Sequence, residues 1–112
     1  MQPHGQLEKI VKEFLIASGW FVFANVEGRN KVGKHSIPGI SDLTAIKSGI
    51  TLWIEIKAGK DTLRDSQIKF RDNVQSHGGR FLEVHDIEDI LNYIKNLRER
   101  GIKCEKNIQL LL

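Results

Sequence analysis

PGISDLTAIKSGITLWIEIK, residues 38–57, reads as two β-strands joined by a tight turn. Ser48-Gly49 supplies a two-residue connection with apolar or β-branched residues on either side. With these two residues at the centre of the turn, Lys47 pairs with Ile50, Ala45 with Leu52 and Asp42 with Glu55. Side chains alternate faces along a strand, so Asp42, Glu55 and Lys57 share one face. Leu43, Ala45, Leu52, Ile54 and Ile56 form the other, which is a core face. Two acids placed directly across a hairpin repel each other. A divalent cation between them is the simplest compensation, and Lys57 beside them brings a positive charge that suits a phosphate. Spacing alone also allows a salt-bridged surface face, with Glu55 against Lys57 and Asp42 opposite.

Working outward, residues 6–18 place Leu7, Ile10, Val11, Phe14 and Leu15 at helical spacing, and Gly19 stops the helix. Glu8 lies off that stripe and has two readings: an acid in the first turn favoured by the helix dipole, or a reach towards the acid pair. Trp20–Val26, WFVFANV, is dense in aromatic and β-branched residues and is expected to be a strand buried on both sides, or nearly so. Residues 27–39, EGRNKVGKHSIPG, have no hydrophobic period and form a loop carrying Arg29, Lys31, Lys34 and His35. That loop is either solvated basic surface or an arm whose cations meet phosphates. Its direct lead into Asp42 favours the arm.

Downstream, AGKDT turns the chain into a second helix, with Thr62 and Asp65 spaced as a capping box. Leu63, Ile68, Phe70 and Val74 give this helix an irregular apolar face, Gln67 sits about one turn inside, and Lys60, Arg64, Lys69 and Arg71 add positive charge. His77-Gly78-Gly79 ends it, and RFLEVH, residues 80–85, alternates as a strand. Asp86 caps a last helix striped by Ile87, Ile90, Leu91, Ile94 and Leu97, with Gly101 as its stop. The expected order is helix, three strands, helix, strand, helix. A βαβ step through the second helix makes the fourth strand parallel to the third, giving an α/β fold with a mixed sheet flanked by helices.

The bulk properties set limits. At 112 residues the chain is expected to be one domain, with a core over about residues 6–100 and a short apolar tail over 101–112. Hydrophobic residues at 40% and charged residues at 28% are ordinary for a globular chain. A net charge of +3 tilts mildly towards polyanionic partners. The lone Cys104 excludes an intrachain disulfide and a Cys-rich zinc module. No apolar run is long enough for a membrane span and no signal-peptide core opens the chain, so an intracellular protein is expected.

The wording PGISD…EIKAG…Q…GG resembles the VRR-NUC (virus-type replication-repair nuclease) family of the PD-(D/E)XK superfamily, over roughly Leu7 to Leu97. The resemblance implies a restriction-endonuclease-like core and a DNA endonuclease that hydrolyses phosphodiester bonds with Mg²⁺, or Mn²⁺ as substitute. It implies Asp42, Glu55, Lys57 and Gln67 as catalytic residues, with Asp42, Glu55 and the Ile56 carbonyl as metal ligands and Glu8 as a further candidate. Without it, Gln67 reads as an exposed helix former. Arg29, Lys31, Lys34, His35, Lys60 and Arg64 are the expected DNA contacts. Stand-alone members of the family resemble viral or bacterial repair enzymes acting as homodimers on branched DNA such as four-way (Holliday) junctions. Two other readings stay open: a nicking or restriction-type nuclease on ordinary duplex, and a nucleic-acid-binding module without catalysis.

Overall fold

The structure, a computed structural model, describes residues 4–25 and 37–99. The elements are α1 (His4–Ala17), β1 (Phe21–Ala24), β2 (Leu43–Lys47), β3 (Ile50–Ile56), α2 (Asp65–Ser76), β4 (Arg80–Val84) and α3 (Ile87–Glu99). They follow the order expected from the sequence. The basic segment with Arg29, Lys31, Lys34 and His35, the stop at Gly101 and the C-terminal tail lie outside the described residues.

The sheet is mixed, in the order β1-β2-β3-β4, antiparallel across β1–β2 and β2–β3 and parallel across β3–β4. Lys47 pairs with Ile50, Ala45 with Leu52 and Leu43 with Ile54. The turn sets this register: Ser48 and Gly49 have φ of 53° and 79°, the two left-handed residues of a type I′ hairpin, whose twist matches that of the strands.

One face of the sheet carries the main core. Leu43, Ala45, Leu52, Ile54 and Ile56 are fully buried, in one cluster with Leu7, Val11 and Leu15 of α1 and with Ile90 and Leu97 of α3. Leu7, Val11 and Leu15 recur every four residues, so they line one side of α1, with Phe14 packed beside them. Helix α1 closes with Trp20 N–H donating to Leu15 O and Gly19 N–H to Ile16 O, both 3.0 Å, a Schellman arrangement that turns the chain straight into β1.

The other face is covered by α2. Phe70 packs edge-on against Trp53 of β3, with centroids 5.5 Å apart, and against Phe81 of β4 at 6.3 Å.

Two expectations are corrected. Strand β1 is not buried on both sides: Phe21 is 65% and Phe23 38% exposed, while Val22 and Trp20 enter the core. It lies at the sheet edge, away from α2, so among the described residues no layer covers its aromatic side. The second helix starts at Asp65 with Arg64 as N-cap, later than Thr62 would place it. Gln67 there is the third helical residue, and its Oε1 accepts the Arg64 N–H at 2.8 Å.

Candidate active site

The site forms where β2 ends and β3 runs on. The Lys57 N–H donates to Val84 O of β4, so the preceding Ile56 N–H faces β2, which has no backbone acceptor left to offer there. Asp42 Oδ2 accepts that N–H at 2.7 Å. On its other side the Asp42 carbonyl accepts the Asn25 N–H at 2.8 Å. Asn25 Nδ2 also donates to Ser41 O at 3.0 Å and to Thr44 Oγ1 at 2.8 Å, and buried Ser41 donates to Leu43 O at 3.1 Å. Asp42 is therefore held by its backbone through β1 and by its side chain through β3. The last ladder pair is Leu43 with Ile54, and extending that antiparallel register by one step would set Asp42 opposite Glu55.

Glu55 points to the α2 face and is 3% exposed, as is Gln67. Gln67 Nε2 donates to Glu55 Oε2 at 2.9 Å, and Lys57 Nζ stands 3.7 Å from the same oxygen. Because the Arg64 N–H fixes Oε1 as the acceptor end, the amide can only turn Nε2 towards Glu55. A buried carboxylate is costly unless its charge is paired and hydrogen-bonded, and both conditions are met here. Gln67 is thus not an exposed helix former: its position orients Glu55.

The depth of α2 that allows this depends on Gly39, whose φ is +74°. A Cβ at that position would stand 2.2 Å from Ser66 O and 2.7 Å from Gln67 N, so the loop before Asp42 packs directly on the first turn of α2.

Helix α1 brings Glu8 to the same end of the sheet, together with a residue the sequence reading passed over, His4. One ligand atom from each of His4, Glu8 and Asp42 lies within 4.8 Å of the others, and His4 Nε2 is 3.4 Å from Asp42 Oδ2. Glu55 is not in this trio; its carboxylate faces Gln67 and Lys57. Partial burial, and then the Asp42 carboxylate, raise the Glu8 pKa above the ordinary range, against the lowering pull of His4 and Lys12. The signal for His4 was its spacing: positions 4 and 8 are one turn apart and share a helix face. A set of carboxylates with one imidazole, close together and partly sheltered, fits a divalent cation.

Lys60 is exposed in the turn after Lys57, and Arg64 is exposed at the start of α2. On β4, Glu83 lies beside Glu55 in register and is drawn to His85, whose Nε2 is 2.7 Å from Glu83 Oε2 and whose Nδ1 is 2.8 Å from Gly59 O. The hydrogen bond to Gly59 O, and then Glu83 and Asp89, raise the His85 pKa against the opposing effect of burial.

A mixed sheet with an acid-bearing hairpin, helices on both faces and a parallel fourth strand is an α/β arrangement consistent with a restriction-endonuclease-like fold. More narrowly, the fold is that of a VRR_NUC domain. The chain matches a solved structure described as "VRR_NUC domain" with a TM-score of 0.64 at 19% identity, over 87% of this chain and 95% of that one. No protein-family model matches the sequence, and no curated protein matches it.

Proposed function

We propose that the chain is a divalent-metal-dependent DNA endonuclease that hydrolyses phosphodiester bonds, selective for branched DNA such as four-way junctions. The observation that carries this reading is the convergence of Asp42, Glu55, Lys57 and Gln67 on one end of the sheet, with Glu55 buried and oriented by Gln67 and Lys57. A cation held by Asp42 and Glu55, with the Ile56 carbonyl and Glu8 as further oxygens, would supply positive charge to the phosphate and acidify a water. Mg²⁺ or Mn²⁺ meets that need.

The chain's own groups do the rest. Asp42 is fixed by the Ile56 N–H, so it offers its remaining lone pairs in a set direction. Lys57 is largely sheltered from solvent, and its ammonium stabilises the negative charge that grows on the phosphorane oxygens. Gln67 keeps Glu55 in place without entering the chemistry. Arg29, Lys31, Lys34, His35, Lys60 and Arg64 supply charge towards the DNA backbone. A homodimer with a two-fold axis would set two such sites against a substrate of matching symmetry.

The test is cleavage of labelled single strand, duplex, flap and four-way junction with Mg²⁺ or Mn²⁺, beside Asp42→Ala and Lys57→Ala. Metal-dependent cutting of the junction is expected, with Lys57→Ala slower by about 10³-fold. Equal cutting of every duplex removes the junction role. Binding without cutting, indifferent to metal and to Asp42→Ala, leaves a non-catalytic binding module instead. Light scattering at micromolar concentration is expected to give twice the 12.8 kDa chain mass, and a clean monomer counts against the two-fold junction reading.

A further inference from the structure

We infer that His4 is a metal ligand, and that its nitrogen makes this centre favour Mn²⁺ over Mg²⁺; the inference rests on the metal-dependent reading above. Three observations lead here. His4 and Glu8 are one helical turn apart on α1 and both stand close to Asp42, whose Oδ2, the oxygen nearest His4, is fixed by the Ile56 N–H. The three ligand atoms span at most 4.8 Å. Two donors on one octahedral ion at about 2.1 Å stand roughly 3.0 Å apart when adjacent and roughly 4.2 Å apart when opposite, so small side-chain rotations bring all three onto one ion. The His4–Asp42 separation of 3.4 Å is long for a hydrogen bond and close to that of adjacent ligands.

The side chain of His4 is 49% exposed, so among the described residues it is only partly packed and has the freedom to close on an ion. Glu55 lies outside the trio, next to Gln67 and Lys57, so an ion held by Asp42 and Glu55 would take His4 and Glu8 as the donors that α1 brings.

Oxygen-only sites suit Mg²⁺, which demands near-ideal octahedral geometry and gives up water reluctantly. An imidazole donor shifts preference towards transition ions, and Mn²⁺ accepts both carboxylate and imidazole. His4 is then the residue that decides which ion is held, while Asp42 decides whether one is held at all.

Electron spin echo spectroscopy of the Mn²⁺-loaded protein tests this directly. A ¹⁴N modulation is expected in the wild type and lost in His4→Ala. Titration of Mn²⁺ and Mg²⁺ by calorimetry, in the absence of DNA, is the second measurement. His4→Ala is expected to weaken Mn²⁺ by about tenfold and Mg²⁺ by less than about threefold, and Asp42→Asn to abolish both. His4→Gln, which keeps a polar side chain but no imidazole, is expected to behave as His4→Ala. No nitrogen modulation in the wild type, or equal weakening of both ions by His4→Ala, overturns the inference. Cleavage with Mn²⁺ and no nitrogen signal would overturn this inference and leave the nuclease reading. A nitrogen signal in a protein that cuts no DNA would do the reverse.

Discussion

At Glu55 a carboxylate has been taken out of water and surrounded by an amide and an ammonium, an arrangement that a purely structural position does not require. Removing one partner of a buried, hydrogen-bonded ion pair leaves the other charge uncompensated and costs stability. Glu55→Gln, which strips the sheltered Lys57 ammonium of its counter-charge, is therefore expected to unfold earlier in chelator, by about 3 kcal/mol, while cleavage falls by about 10³-fold or more. Thermal melting and single-turnover cleavage read the two effects separately; a fully active variant contradicts the role given to Glu55. Gly39 and Gly49 make a second contrast. Both have positive φ, but a Cβ on Gly39 meets the backbone of Ser66, whereas one on Gly49 meets nothing within 4 Å. Gly49→Ala is expected to cost about 1 kcal/mol from conformation alone. Gly39→Ala adds displacement of α2 and is expected to cost about 3 kcal/mol in urea denaturation, with loss of the Gln67–Glu55 bond.

The elements were largely legible in the sequence because their signals are local. The hairpin announces its turn chemistry at Ser48-Gly49, and the register follows by counting outward. Helices α1 and α3 show their stripes, and parallel β4 follows from the βαβ rule. What stayed hidden depends on non-local partners. Strand β1 was read as doubly buried because aromatic content does not say which strand a helix covers; α2 lies over β3 and β4 and leaves Phe21 and Phe23 uncovered. The start of α2 was misread because Thr62 offers good capping chemistry, yet the tie between Gln67 and Glu55 decides which turn comes first. His4 was missed because its partner lies 38 residues away. The link from β4 to the loop after Lys57 belongs to the same class. His85 holds Gly59 O and Glu83, and its pKa lies above the ordinary value of 6.5. A raised histidine pKa means the protonated form favours the folded state, so this contribution is complete below about pH 6.5 and is lost as pH rises through the raised value. Melting temperatures are expected to fall across that window for the wild type, and His85→Gln to remove the step. An unchanged step in the variant would assign it elsewhere.

For the molecule as a whole, the charge excess is small, at +3, so under the proposed function DNA affinity would come from where cations are concentrated rather than from how many there are. If Arg29, Lys31 and Lys34 each neutralise a phosphate, replacing all three by Gln lowers the slope of log K against log salt by about 2.7. Fluorescence anisotropy in chelator measures this without cleavage, and an unchanged slope removes the loop from the interface. The amide of Gln67 has a consequence at this scale too. One side chain both caps α2 and holds Glu55, so fraying the first turn of that helix and releasing the carboxylate are a single event. The exchange of one proton, the Arg64 amide hydrogen, thus counts how often the site comes apart in solution. Slowing of that exchange when a cation is added would time the assembly of the centre with no substrate present.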